Sequence, residues 1–239
     1  KKKICILSEK SFELYAISIS TVISNNIWVP ISSTSPEDRI YEVIDLLNPE
    51  IFIIDKINTL KKSKIKNFLI KKKIKILTFD EIKEATPLKK IPLIKINKND
   101  TSMIFFTSGS SGKPKGVKIN HGGFVYSLLQ QIKRLYKNEN KLVFGDYHDI
   151  SFVISLNILF PCVYLKYIIS PGIDLKDIFF PIEHIRANKI NTLVTVPSSI
   201  NRIRSYYKKI NNKLNLKLLI LCGEPFYYDL LNFITLKKI

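Results

Sequence analysis

Short apolar runs alternate along this chain with longer segments whose apolar residues recur every three or four positions. The first pattern is typical of buried strands, and the second is typical of helices that bury one face. The apolar runs predict strands at 4–7, 51–54, 74–77, 103–106, 141–144, 163–168, 192–196 and 216–221. The spaced segments predict helices at 9–24, 36–47, 59–72, 121–137, 175–187 and 197–209. Strands separated by helices favour an α/β fold with mostly parallel sheets flanked by helices.

Two local signals refine this outline. Ser35 followed by Pro36 suggests an N-cap and a first helical residue at the start of the second helix. The segment 86–100 contains two prolines and five charged residues and interrupts the periodicity. We expect a subunit division near 86–100, without two independent domains.

The chain is strongly basic, with 38 Lys and Arg against 20 Asp and Glu and a formal net charge of +18. Its lysines are spread along the sequence, and no basic segment is interleaved with aromatic residues as in nucleic-acid-binding modules. We therefore expect no nucleic-acid partner and interpret the lysines as a bias of the solvated surface. The charge still favours anionic ligands.

The three cysteines, Cys5, Cys162 and Cys222, are far apart and suggest neither a disulfide framework nor a zinc site. This spacing predicts no metal-ligating cluster and fits a reducing cytoplasm, where we expect the protein to work. The longest uncharged stretch is interrupted by polar residues and prolines, so we expect no membrane segment.

The segment "TSGSSGKPKG", at 107–116, concentrates three of the eight glycines of the chain. Glycines allow successive backbone N–H groups to converge on an oxyanion, hydroxyl groups add donors, and lysines add positive charge, which suits a polyphosphate. The segment has neither the spacing of a Walker loop nor that of a dinucleotide-binding turn. Composition alone leaves a mobile surface loop equally open.

The order of these residues closely resembles the phosphate-loop signature of the adenylate-forming superfamily, T-S-G-[ST]-[ST]-G-x-P-K-G. Other segments are similar to motifs of that family in the same order: "WVPISSTSPEDRI" at 28–40, "HDISFVISLNILFP" at 148–161, "TVPSS" at 195–199 and "LCGEPF" at 221–226. The closest resemblance is to amino-acid adenylation domains and D-alanine–carrier protein ligases. Asn25-Asn26 and His148 depart from the family pattern.

The resemblance implies site residues in three segments. It places the β- and γ-phosphates of ATP on Thr107, Ser108, Gly109, Ser110, Ser111, Gly112, Lys113 and Gly116, with Lys115 as the catalytic lysine. It places adenine against Gly223, Glu224 and Pro225, for which an ordinary turn after a strand is the alternative. His121 is either a helix-start residue or a site residue.

The resemblance also implies a substrate site at His148 and Asp149, where the Asp carboxylate pairs with the α-ammonium group of an amino acid. The alternative is that Asp149 caps a helix that begins near Ser151. The implied reaction joins a carboxylate to ATP, with Mg²⁺, as an acyl adenylate and passes the acyl group to a thiol of an acyl or peptidyl carrier protein or of coenzyme A. No general base is required, because free carboxylates are ionised at neutral pH.

Two further expectations concern the extent and activity of the chain. The motifs that the family places after the G-E-P element, including the lobe with a second lysine, do not occur in the sequence, so we expect 1–239 to be part of a larger N-terminal domain that lacks its C-terminal lobe. We expect this fragment to be inactive alone. The alternatives are a fatty-acid or other carboxylate–CoA ligase and a catalytically inactive binding module with the same fold.

Overall fold

The computed structural model of the chain describes residues 1–56, 60–90, 92, 94–108, 112–136, 139–207 and 214–237. The chain divides into two compact units, Lys1–Ser127 and Leu128–Ile239. No helix among the described residues is long and apolar enough to cross a membrane. The segment 86–100 lies within the first unit, between two strands of one sheet, and the division expected near it stays a prediction.

The first unit is built on a sheet whose described strands are β1 (Lys3–Leu7), β2 (Ile27–Ile31), β3 (Ile51–Ile54), β4 (Lys75–Thr78), β5 (Thr101–Ser108) and β6 (Pro114–Asn120). They lie in the order β4-β3-β1-β2-β5-β6, and every pair is parallel except β5 with β6. The helices are α1 (Phe12–Ile23), α2 (Glu37–Leu47), α3 (Leu60–Lys71), α4 (Phe79–Glu84) and α5 (His121–Gln131), which continues past the end of the unit.

Apolar side chains of the inner strands and of one face of α2 form the core of this unit. Ile40, Val43, Ile44 and Leu47 recur at helical spacing and are all buried. Trp28 of β2 is fully buried and packs edge-on against Phe105, with 5.6 Å between the ring centroids. Removing a buried aromatic side chain of this kind costs about 3–5 kcal/mol of stability. The core therefore fixes β2 and β5 and the start of α2.

The second unit has a sheet whose described strands are β7 (Val143–Asp146), β8 (Ile168–Pro171), β9 (Thr192–Thr195) and β10 (Leu218–Leu221). The order is β10-β9-β7-β8, with parallel pairing throughout. Its helices are α6 (Leu156–Leu165), α7 (Leu175–Phe179), α8 (Ile182–Ala187), α9 (Pro197–Tyr207) and α10 (Tyr228–Lys237), with a π-helical turn at Ile132–Tyr136 and a 3-10 turn at Val153–Ser155. The α/β class predicted from the sequence is confirmed.

Three details of the sequence-based outline are wrong. The strand predicted at 163–168 begins only at Ile168, because the apolar run before it belongs to α6, a helix with buried side chains around much of its surface. The helix predicted at 175–187 is two short helices, since Pro181 separates α7 from α8. Ser35 does not cap α2, whose N-cap position is Pro36 without a side-chain hydrogen bond.

Candidate functional site

The glycine- and serine-rich segment joins the two antiparallel strands of a hairpin, β5 and β6. Thr107 and Ser108 end β5 and pair with Lys115 and Pro114 of β6. The side-chain hydroxyl of Thr107 donates to the carbonyl oxygen of Lys115 at 3.4 Å. The hairpin thus places the first residue of the segment directly beside the predicted catalytic lysine.

Within this segment, Gly109, Ser110 and Ser111 lie outside the described residues. Gly112 has a φ of +78°, in the left-handed region that favours glycine, and a Cβ at this position would meet nothing within 4 Å. A Cβ at Gly116, in contrast, would lie 3.2 Å from Ile104 and 3.3 Å from the ring of Phe106. Gly112 therefore serves backbone conformation, and Gly116 serves packing of the hairpin.

Lys113 and Lys115 are both exposed. Among the described residues neither lysine has a carboxylate partner within 4.0 Å. No group of three or more His, Cys, Asp or Glu that could hold a metal ion occurs in the described ranges. Two ammonium groups in a glycine-rich segment, without a carboxylate partner among the described residues, suit a polyphosphate. Mg²⁺ is usually bound through substrate phosphates, one or two carboxylates and water.

In the second unit, the predicted substrate and adenine residues follow strands of one parallel sheet. His148 and Asp149 come directly after β7, and Gly223, Glu224 and Pro225 come directly after β10. The carboxyl ends of parallel strands meet at one edge of a sheet. The chain passes from β7 to β8 on one side and then to β9 on the other, so the strand order reverses between β7 and β9. Open α/β sheets bind ligands at such a reversal.

His148 bridges the ends of the two strands at this reversal. Its backbone N–H donates to the Asp146 carboxylate at 3.3 Å, and its ring Nε2 lies 3.1 Å from the hydroxyl oxygen of Thr195. Asp146 is the last residue of β7 and is buried. The imidazole is therefore held by the neighbouring strand as well as by its own.

The Asp149 side chain is half-buried and hydrogen-bonds to the next turn of the chain. Its Oδ1 accepts from the backbone N–H of Ser151 at 2.9 Å and from the Ser151 hydroxyl at 2.7 Å. The 3-10 turn at Val153–Ser155 follows, with Phe152 at its N-cap position. Asp149 thus stabilises the turn before the helix, although the first helical residue comes two positions later than the sequence suggested.

Tyr147 is held between two strand ends. Its hydroxyl lies 2.8 Å from Nδ1 of His184 on α8, and the two rings meet edge-on. A Cβ on Gly145 or Gly172 would approach the tyrosine ring to 2.6 Å. Burial raises the pKa of Tyr147 far above its usual range, so the phenol is neutral and its hydroxyl is a hydrogen-bonding group. This packing fixes the start of the 147–149 segment.

The predicted adenine turn is tied to the first turn of α9. Gly223 has a φ of +83° and redirects the chain after β10. The Glu224 carboxylate then accepts from the Ser198 backbone N–H at 2.8 Å and from the Ser198 hydroxyl at 2.9 Å. The first N–H groups of a helix lack partners within the helix, and a carboxylate there is favoured. Glu224 therefore caps α9 from a neighbouring strand end.

Sequence reasoning located these segments but missed most of their partners. Thr195 and Ser198 lie in the quoted "TVPSS" segment, and only the fold assigns them to His148 and Glu224. Asp146 and His184 carried no signal, because neither lies in one of the quoted motifs. His121 is confirmed as the first residue of α5.

Comparison with known proteins first defines the class. The family model described as "AMP-binding enzyme" matches residues 1–236, and the chain belongs to this family. Among curated relatives, a D-alanine–D-alanyl carrier protein ligase of Staphylococcus aureus is 31% identical over 139 residues, which cover 57% of this chain and 26% of the ligase. A component of the mycosubtilin synthase of Bacillus subtilis is 30% identical over 158 residues, which cover 65% of this chain and 6% of that relative.

Solved structures show the same fold at low sequence identity. An o-succinylbenzoate coenzyme A synthetase of Bacillus subtilis, in complex with ATP and magnesium ion, superposes with a TM-score of 0.78 at 15% identity. The match covers 99% of this chain and 48% of that structure. The nonribosomal peptide synthetase FmoA3 gives a TM-score of 0.78 at 16% identity, over 98% of this chain and 24% of that structure. The chain thus spans about a quarter of the curated ligase and half of the coenzyme A synthetase structure.

Proposed function

We propose that this chain carries the ATP- and acid-binding part of an enzyme that activates an amino acid as an acyl adenylate. The observation that carries the proposal is the β5–β6 hairpin, where the glycine-rich segment contains a left-handed glycine, Gly112, followed by two exposed lysines, Lys113 and Lys115. Membership of the AMP-binding enzyme family supports a nucleotide as the anionic ligand. ATP is the substrate, and Mg²⁺ is the ion that accompanies it.

The proposed reaction needs positioning and charge neutralisation rather than a nucleophilic side chain. One oxygen of the substrate carboxylate attacks the α-phosphorus of ATP, the bond from that phosphorus to the oxygen bridging the α- and β-phosphates breaks, and pyrophosphate leaves. Negative charge grows on the departing group, where the loop amides and Lys115 stabilise it. A bound Mg²⁺ supplies further neutralisation through the phosphate oxygens.

Asp149 decides the class of acid in this proposal. Asp149 is half-buried. A partly desolvated carboxylate is stabilised by a cationic partner, and the α-ammonium group of an amino acid is such a partner. A specific observation favours the second candidate, a ligase for acids without an amino group. Ser151 already donates two hydrogen bonds to Oδ1 of Asp149, as a purely structural aspartate requires.

Carboxylate-dependent exchange between ATP and pyrophosphate tests the proposal in the full-length protein. We expect exchange with amino acids and little with their des-amino analogues, and loss of this discrimination in Asp149→Ala. Asp174→Ala is a matched control, because Asp174 precedes α7 without a side-chain capping bond. Preference for des-amino acids would support the second candidate, and the absence of exchange with any acid would contradict adenylation.

The acyl acceptor in this proposal is the thiol of a carrier protein. The D-alanine–D-alanyl carrier protein ligase among the relatives supports a carrier, and the fold shared with a coenzyme A synthetase makes coenzyme A the second candidate. Incubation with amino acid, ATP and each thiol in turn would distinguish them. A thioester formed only on coenzyme A would contradict the carrier.

A further inference from the structure

The "PEDRI" segment reaches the start of the glycine-rich loop through one side chain. Arg39 lies in the first turn of α2, and its Nη2 donates to the backbone carbonyl oxygen of Thr107 at 2.9 Å. Its Nη1 lies 3.9 Å from a carboxylate oxygen of Glu42. The side chain is 24% exposed, so much of its stem is covered. Two segments 68 positions apart are thus joined at the residue where the loop begins.

The carbonyl of Thr107 is available because β5 is longer than its parallel neighbour. Trp28 of β2 pairs with Met103 of β5, and β2 ends at Ile31, whereas β5 continues to Ser108. In this register Ile31 falls opposite Phe106, one residue before Thr107. A strand carbonyl without a partner strand accepts from water or from a side-chain donor. The guanidinium of Arg39 supplies that donor at the point where the strand partner ends.

The residues before and after Arg39 in the chain are held in place by other contacts. Lys61 of α3 donates from Nζ to the backbone carbonyl oxygens of Ser33 and Ser35, which lie in the loop between β2 and α2. Ile40, the residue after Arg39, is fully buried in the core. The first turn of α2 is therefore anchored on both sides, and Arg39 extends from a rigid base.

We propose that Arg39 is a positioning residue for the phosphate loop. It holds the carbonyl of Thr107, which is the cross-strand partner of Lys115, and so sets the direction in which the loop leaves β5. A planar guanidinium gives a more directional donor than an ammonium group does. The inference rests on the proposed function, which assigns the phosphate loop to the β- and γ-phosphates of ATP.

Binding of ATP and of AMP to the full-length protein tests the proposal. Arg39→Met keeps the apolar stem and removes the donors. We expect its Kd for ATP to rise about tenfold, as for the loss of one hydrogen bond to a charged group, with the Kd for AMP changed less than about twofold. Arg39→Lys should restore part of the ATP affinity. Asp38→Asn is the matched control, since Asp38 is an exposed residue of the same helical turn, and it should leave both constants unchanged.

Amide hydrogen exchange gives a second measurement that does not depend on nucleotide binding. We expect faster exchange at 105–108 and 112–117 in Arg39→Met and Arg39→Lys, with exchange in β9 unchanged. Unaltered exchange in the hairpin would overturn the inference, as would equal losses of ATP and AMP affinity. If the wild-type protein does not bind ATP, the proposed function fails. Amide hydrogen exchange alone then decides whether Arg39 positions the end of β5. If Arg39→Met does not fold, the Arg39→Lys data decide.

Discussion

The β5–β6 hairpin and the edge of the β10-β9-β7-β8 sheet are built in opposite ways. The hairpin presents exposed lysines and a left-handed glycine, and Arg39 donates to the backbone of β5 where the loop begins. The sheet edge is instead held by side chains that connect neighbouring strand ends, His148 with Thr195 and Glu224 with Ser198. The first region presents exposed positive charge and a backbone that few side chains contact. The second presents side chains that hydrogen bonds already hold in place.

This difference predicts how each region responds to mutation. Loss of a charged group in the hairpin should impair function with little effect on the free energy of unfolding, because these groups make few contacts. Loss of a connecting side chain at the sheet edge should lower both the activity and the free energy of unfolding. The hydrogen bond that positions the turn there also stabilises the second unit. Two measurements test this contrast, and a third concerns the residue that directly follows the hairpin. They are given from the largest expected effect to the smallest.

Lys115→Ala should produce the largest effect. In the full-length protein we expect the rate of ATP–pyrophosphate exchange to fall roughly 30- to 1,000-fold, equivalent to about 2–4 kcal/mol of lost transition-state stabilisation, because the proposed reaction develops charge beside this lysine. The melting temperature should stay close to that of the wild type. Lys118→Ala is the control, since Lys118 is exposed on the same strand but three residues away and thus on the other face. Equal rates in the two variants would show that the hairpin lacks the proposed role.

A double-mutant cycle on Glu224 and Ser198 should give a smaller effect, on stability. Glu224→Ala and Ser198→Ala each remove hydrogen bonds at the start of α9, and we expect a coupling energy of about 1 kcal/mol in the free energy of unfolding. Chemical denaturation of the four proteins measures it. Independent, additive losses would mean that the Glu224 carboxylate does not stabilise the second unit through Ser198.

The smallest effect concerns pH and the imidazole groups. The Nε2 atom of His121 is buried without a hydrogen-bond partner among the described residues, whereas His148 and His184 have ring partners. Burial, with a smaller contribution from Lys1, lowers the pKa of His121, and Asp100 opposes the shift. The unfolded chain therefore binds more protons below about pH 6.5, so stability is complete above that pH and decreases below it.

The slope from one such histidine is at most about 1.4 kcal/mol per pH unit. Denaturation of the wild type and of His121→Leu across pH values on both sides of the ordinary histidine pKa of about 6.5 measures this contribution. The variant should lose part of the slope on the acidic side. An unchanged slope would assign the acid sensitivity to other groups.

Sequence analysis grouped the candidate residues of the hairpin loop but missed the contacts at the sheet edge, for a physical reason. It did so although it predicted strands at β7, β9 and β10 and none at β6. The loop chemistry is contiguous, so ten neighbouring residues contain its glycines, hydroxyls and lysines. The partners at the sheet edge are far apart, 47 positions for His148 and Thr195, and only the strand order brings them together. Arg39 was part of a quoted motif, yet its bond to Thr107 depends on where β2 ends.

The errors in the secondary-structure outline follow the same logic. The run around Val163 and Leu165 is apolar on every side, so periodicity could not distinguish a strand from the buried helix α6, which even contains Pro161. β2 was noticed only as a motif, since Pro30 within it weakened its strand pattern. Paired, buried strands such as β1 and β3 were predicted closely because their apolar runs are short and bounded.

The packing of Tyr147 has a consequence for the mutational history of this chain. Its ring occupies the space that any side chain at Gly145 or Gly172 would need, and its bond to His184 prevents the ring from moving aside cheaply. A lineage that keeps the tyrosine is therefore restricted to glycine at two positions 27 residues apart in the sequence. Replacement of the tyrosine by a smaller residue would release Gly172, whereas a Cβ on Gly145 would still lie 2.9 Å from the Leu193 side chain. Tyr147 and Gly172 should thus be inherited together, with the tyrosine as the first to change, and Gly145 should vary only when Leu193 also does.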